Sequence, residues 1–244
     1  MGFRKLLVCL LPLLVGAAHA QDERKVVSPD RQLEFRLFTT VPEGAQLNSI
    51  AYQVWLRGKL QIDTSCLGLN IHFQEPFLGE NVGLSSSLPV HEAEYNGLVA
   101  DYLQTSSTGR RIQVEVRVYN DGVAFRYIVP RQDPILDLLI EDEVTEFRFA
   151  SKGDRPAQAP LPYVEQLPGV GWVGIFQSRK AGLPPMSLLK SDAHTMISHL
   201  PDTPRDPAVA FVGVTPWTGP WRMIMFGRDR DGLAQSQVVR GVTK

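Results

Sequence analysis

The most regular feature of the chain is a two-residue alternation of apolar and polar positions. Between Arg31 and Phe38, Leu33, Phe35 and Leu37 alternate with Gln32, Glu34 and Arg36. Between Ile50 and Arg57, Ile50, Tyr52, Val54 and Leu56 fall on one side, and Ala51, Gln53, Trp55 and Arg57 on the other. Arg57-Gly58-Lys59 reads as a turn into a strand over Leu60 to Asp63. Successive side chains of a strand point to opposite faces, so this period predicts antiparallel strands with one face on a core and one toward water.

The clearest hairpin runs from Arg111 to Val129. Ile112, Val114, Val116 and Val118 alternate with Arg111, Gln113, Glu115 and Arg117, and the return strand sets Val123, Phe125 and Tyr127 against Ala124, Arg126 and Ile128. Asn120-Asp121-Gly122 supplies the turn, since these residues tolerate the positive φ of tight hairpins. Further strands are predicted at Glu146 to Ala150, Trp172 to Gln177, Ala208 to Val214 and Arg222 to Gly227. Ile135 to Glu143 is apolar and acidic, but too short to define a helix. No segment sustains a 3.6-residue period. The Pro-rich, polar stretches Ser151 to Pro168 and Pro201 to Pro207 read as surface connections. The predicted fold is all-β: a single antiparallel β-sandwich over residues 21–244.

The first 20 residues have a different character. Arg4 and Lys5 precede an apolar run from Leu6 to Gly16, and Ala18-His19-Ala20 offers small residues at −3 and −1 of a cleavage site. This is the pattern of a secretory signal peptide, and the run is too short to span a bilayer. Cys9 lies inside that run behind Val8, which argues against a lipid anchor. The expected location is periplasmic or secreted. The chain carries 25 basic and 26 acidic residues, and removal of Arg4 and Lys5 leaves 23 basic ones and a net charge of −3. That balance gives no electrostatic reason to expect nucleic acid or an anionic membrane as partner, and no later segment reads as a membrane span. Only Cys66 remains after cleavage, and it reads as a small buried hydrophobe.

Motifs that carry chemistry are scarce. There is no phosphate-binding glycine loop, no nucleophile elbow and no zinc spacing. His194 and His199, five apart, are a weak metal signal set against ordinary surface histidines. Glycoside hydrolysis needs two carboxylates across the scissile bond. Glu92 and Glu94 near Tyr95, and the run Glu141, Asp142 and Glu143, read as solvated edge or loop charges. Trp172, Trp217 and Trp221, with Trp55, are candidates for stacking on sugar rings, and core or rim packing is the alternative for each.

Several segments, in order, resemble the N-terminal domain of glycoside hydrolase family 97. They are Ser28-Pro29-Asp30, Tyr52-Gln53-Val54, Gly58-Lys59, Ser65-Cys66-Leu67-Gly68-Leu69, Arg117 through Tyr127, Glu143 through Phe147, and Gly219-Pro220-Trp221-Arg222. The resemblance implies a large sandwich similar to that of galactose mutarotase, packed in the family against a (β/α)₈ barrel. It implies exo-acting α-glucosidases or α-galactosidases with calcium in the active site, the catalytic acid being carried by the barrel. A barrel takes roughly 250 residues, and the chain ends at Val239 to Lys244 near where the family's barrel begins. The chain is therefore expected to have no catalysis of its own and to serve as a carbohydrate-associated or carbohydrate-binding module. Two alternatives are an α-glycosidase split from a separately encoded barrel and a protein-docking module. One position departs from the family pattern. The family's sandwich gives calcium a Glu nine residues before the Met of a turn resembling Leu183-Pro184-Pro185-Met186, and here that position is Gln177, followed by Arg179 and Lys180. The expectation is that no calcium or other cofactor is bound.

Overall fold

The structure, a computed structural model, describes residues 21–105, 109–179, 182–201 and 208–242. Residues 1–20, where the signal peptide is expected, Lys180 and most of the polar stretch beginning at Pro201 lie outside the described residues.

An antiparallel meander opens the fold: β1 (Gln21–Val27), β2 (Leu33–Thr40), β3 (Ser49–Leu56) and β4 (Lys59–Leu67). The short pair β5 (Leu69–Ile71) and β6 (Gln74–Leu78) follows. A second meander comprises β7 (Val82–His91), β8 (Asn96–Gln104), β9 (Arg111–Tyr119) and β10 (Gly122–Val129). The remaining strands are β11 (Asp137–Glu143), β12 (Glu146–Phe149), β13 (Gln158–Pro160), β14 (Tyr163–Leu167), β15 (Gly171–Gln177), β16 (Ser187–Lys190), β17 (Thr195–His199), β18 (Phe211–Val214), β19 (Trp217–Thr218) and β20 (Arg222–Gly227). Two short helices close the chain, α1 (Arg230–Leu233) and α2 (Gln237–Val242). At four and six residues they are too short to leave a helical period in the sequence.

Two large sheets form the layers. The first has the order β1-β2-β3-β4-β12-β17-β16-β13, and the second β14-β15-β20-β10-β9-β8-β7 with β19 paired to β10. A smaller sheet, β18-β11-β5-β6, flanks them and adds to the two layers that the alternation predicts. The predicted inward faces hold. Leu33, Phe35, Leu37, Ile50, Tyr52 and Val54 pack with Ile112, Val114, Val116, Val118, Val123, Phe125 and Tyr127 in one contiguous core. At its centre the rings of Phe35 and Tyr52 stack at 5.3 Å, and Phe125 of the opposite sheet meets Tyr52 at 5.2 Å. Cys66 is buried as expected, and burial with the neighbouring Glu146 pushes its thiol up to about 12.

Three expectations are corrected. The stretch from Ser151 to Pro168 is not a plain surface connection. It holds β13 and β14, each at the edge of a large sheet, where proline costs no ladder hydrogen bond. Within it the Arg155 side chain is fully buried and bonds both oxygens of Glu165. The Asn120-Asp121 turn uses no positive φ; Arg57 and Gly58 adopt it instead, at +51° and +73°, in the turn between β3 and β4. Gly122 serves a different need, because a Cβ there would lie 2.5 Å from the Ile224 carbonyl oxygen on β20. Finally, Glu143 is not a solvated charge but is buried at the end of β11.

Candidate functional site

The strand parity that buries Val123, Phe125 and Tyr127 turns Ala124 and Arg126 to the opposite side of the second sheet. There Arg126 lies directly across from Glu115 on β9. On the same side, β15 presents Trp172 and Phe176, and β20 presents Met223 and Met225. The helices α1 and α2 cover part of this outer face. Leu233 and Val238 join Tyr119, Ala124, Trp221, Met223 and Met225 in a second, smaller apolar cluster. Asp121 helps to hold α2 in place, accepting the Gln237 N–H at 2.6 Å.

The helices leave two hollows that share Phe176, Gln177, Ser178 and Arg179. One, of about 650 Å³, is walled by Leu161, Pro162, Leu183 and Pro185. The other, of about 510 Å³, is walled by Arg126, Trp221, Met223, Val239 and Val242. Together they form a cleft around the end of β15. Among the described residues no carboxylate lines it, whereas Arg126 and Arg179 both do.

Trp221 organises the inner wall. The guanidinium carbons of Arg117 and Arg126 lie 4.5 and 4.3 Å from its ring centroid. Glu115 ties both arginines, accepting from Arg126 Nε at 2.7 Å and from Arg117 Nη2 at 3.2 Å. The Trp221 backbone N–H donates to Ser178 Oγ at 2.9 Å, and the Ser178 N–H donates to the Trp221 carbonyl at 3.0 Å. Strand ends that carry the cleft residues are thereby locked together.

Of the three sequence candidates for sugar contact, Trp221 and the half-buried Trp172 belong to this outer cluster, and Trp221 lines the cleft. Trp217 lies apart from them, buried in the main core with Phe211 at 5.7 Å. His194 and His199 sit at opposite ends of β17. His194 Nδ1 meets the Phe149 carbonyl and His199 Nδ1 meets Asp142. Glu92 and Glu94 are exposed in the turn before β8. Glu141 bonds His72 and Asn70, and Glu143 pairs with Arg222 inside the fold. Among the described residues no group of three or more His, Cys, Asp or Glu is arranged around a metal.

Gln177 has its own partners. Its side-chain carbonyl accepts the Met186 N–H at 2.9 Å, so it pins the Leu183–Met186 turn to the end of β15. A calcium ion needs several oxygen ligands, with carboxylates setting the affinity. A neutral amide already engaged by the backbone, in a cleft lined among the described residues by arginines and no carboxylate, does not fit that ion.

The cleft arginines were legible in part. A two-residue turn at Asn120-Asp121 sets Arg126 opposite Glu115, which the sequence register already implies. Ser178 and Arg179 carry no such signal, because they lie past the strand end.

Comparison with known proteins places these features in a family. The family described as "Glycosyl-hydrolase 97 N-terminal" matches residues 26–159, more than half of the chain. No curated protein sequence matches. Among solved structures, a variant of a glycoside hydrolase family 97 enzyme from a Pseudoalteromonas species superposes with a TM-score of 0.77 at 16% identity, over 91% of this chain and 38% of that one. A complex of such a Pseudoalteromonas enzyme with acarbose gives 0.71 at 16% identity, again over 91% and 38%. A beta-arabinopyranosidase gives 0.67 at 20% identity, over 86% and 40%. The chain thus spans about two fifths of the length of these structures, and at such identities the likeness is one of fold.

Proposed function

Because the chain belongs to the glycosyl-hydrolase 97 N-terminal family, we propose that it is a non-catalytic, carbohydrate-associated sandwich module that acts in the periplasm or outside the cell. The observation that carries this reading is the cleft at the end of β15. It sets the half-buried ring of Phe176 beside polar groups of Gln177, Ser178, Arg126 and Arg179, with the buried Trp221 behind Arg126. Sugar sites combine apolar planes with a few placed polar groups in this way. Glycoside hydrolysis by contrast needs two carboxylates across the scissile bond, and none of the described residues lining the cleft carries one. Export is supported by Arg4, Lys5, the apolar run and Ala18-His19-Ala20.

Titration calorimetry of the purified chain against short α-glucans, beside a hydrolysis assay on aryl α-glucosides and α-galactosides, tests the reading. Binding that weakens in Phe176→Ala, without turnover, is the expected result. Turnover abolished by mutating one carboxylate would overturn it. A second reading is that the same face docks a catalytic domain, and the length comparison favours it: the superposed enzymes are more than twice as long. A barrel sequence encoded beside this one, whose product co-purifies with the chain and adds hydrolysis, would support it.

A further inference from the structure

The cleft has a charge that the sugar-binding reading does not by itself require. Arg126 and Arg179 line it, and Arg117 packs on the Trp221 ring, while Glu115 is the one carboxylate among the described residues bonded to the two arginines at that ring. Glu115 takes up Arg126 through Nε and Nη2, and Arg126 Nη1 has no partner among the described residues. Arg179 is exposed and has no ion-pair partner among them either. Ser178 Oγ accepts from the Trp221 N–H, which leaves its own proton to donate. The Gln177 carbonyl is turned to Met186, and its amide nitrogen reaches the Pro184 carbonyl only at 3.5 Å. What the cleft offers a ligand is therefore an excess of donors and of positive charge beside an aromatic wall.

We propose that this cleft is an anion-accepting subsite, taking the carboxylate of an acidic sugar between Arg126 and Arg179 with the sugar ring against Phe176, while the buried Trp221 backs Arg126. The inference rests on the carbohydrate-associated reading and specifies its ligand class. A guanidinium fits a carboxylate through two parallel N–H donors, which a neutral hydroxymethyl group cannot use in that way. The apolar side of the sugar ring meets Phe176, and the carboxylate meets the arginines that line the cleft.

The test compares two probes that differ in one group: maltotriose, and maltotriose whose terminal hydroxymethyl is oxidised to a carboxylate. Calorimetry of the full chain at low salt should give at least about tenfold tighter binding of the oxidised probe, or roughly 1.4 kcal/mol. High salt should erase the difference, because the charges lie at a partly exposed site. Arg179→Ala should remove most of the preference while leaving the melting temperature unchanged, since Arg179 is exposed. Arg126→Lys, which keeps the charge but loses the two-pronged geometry, should reduce it. Equal affinity for the two probes would overturn the inference and leave the carbohydrate reading standing. Failure of both probes to bind would overturn the reading and the inference together.

Discussion

Arg222 of β20 and Glu143 of β11 form a two-pronged ion pair inside the fold, with 1% of each side chain exposed. The pair joins a sandwich layer to the flanking sheet. Its carboxylate also accepts from Thr145 Oγ at 2.6 Å, and that hydroxyl in turn lies 2.6 Å from Tyr127 Oη. Since the Thr145 proton is committed to Glu143, Tyr127 donates to Thr145, and Gly68 N–H donates to Tyr127 at 3.2 Å. From Gly68 through Tyr127 and Thr145 to Glu143 each polar group has a partner, which helps a core to tolerate them, whereas the buried Arg222 Nη1 has none among the described residues.

Removing one partner should be far worse than removing both. Glu143→Ala or Arg222→Ala leaves a buried charge without its counter-ion, which costs about 3–5 kcal/mol. Replacing both by apolar residues of similar size, Glu143→Leu with Arg222→Met, should cost clearly less than the sum of the single changes. Urea unfolding of the two single variants and the double variant measures this. Single variants within about 1 kcal/mol of wild type would show that the pair is solvated.

Phe125 should be among the costliest residues to truncate. It is fully buried, 5.2 Å from Tyr52 and 6.1 Å from Phe35, and its strand joins β9 to β20 at the middle of the second sheet. Phe125→Ala should destabilise by about 3–5 kcal/mol, the range for a large ring deleted from a rigid core. An unchanged thermal midpoint would mean that the ring is not packed between the sheets.

Acid should loosen the turn between β16 and β17 first. The His194 backbone N–H holds the Asp192 carboxyl below the usual carboxylate range; burial opposes this, and Thr195 and Arg148 add to the lowering. A lowered folded pKa contributes stability that is full above the unfolded value, about 4, and is lost as pH falls through the folded value. Melting temperature should therefore drop more steeply below about pH 4 in wild type than in Asp192→Asn. The difference should be small, because the carboxylate is half exposed. Parallel curves for the two proteins would exclude this contribution.

The alternation of Leu33, Phe35 and Leu37, and of Val123, Phe125 and Tyr127, made the sandwich readable because inward positions of a half-buried strand follow the period of two. That same period makes short edge strands hard to see. β13 and β14 have three and five residues and carry prolines in or beside them, so composition points to a loop. The turn at Asn120-Asp121-Gly122 was placed correctly for a reason that does not apply, since Gly122 is needed for the approach of β20 and not for its φ. The burial of Glu143 was invisible because its partner, Arg222, is 79 residues away and no local pattern links them. The site shows the same division. Arg126 lies at a strand position that the alternation marks, and Trp221 immediately before β20, whereas Arg179 is brought to them by a strand end whose direction depends on the Gln177–Met186 contact.

Calcium is where the family resemblance and the local residues part, and the structure gives the comparison a physical form. The resemblance puts a calcium-ligating Glu where Gln177 stands. Gln177 is neutral, its oxygen accepts the Met186 N–H at 2.9 Å, and the nearest charged lining residue in sequence is Arg179. At about 6 Å and an effective dielectric near 20, a divalent cation and one guanidinium repel by roughly 5 kcal/mol before screening. Exposure of Arg179 reduces that severalfold but does not reverse its sign. Restoring one carboxylate is also insufficient, because calcium gathers six to eight oxygens, several of them charged. Melting curves of wild type should thus be the same with millimolar calcium and with chelator. Gln177→Glu should gain no calcium dependence either, although Glu can still accept from Met186. A rise of several degrees in wild type on adding calcium, reversed by chelator, would mean that oxygens outside this cleft complete a site at Gln177.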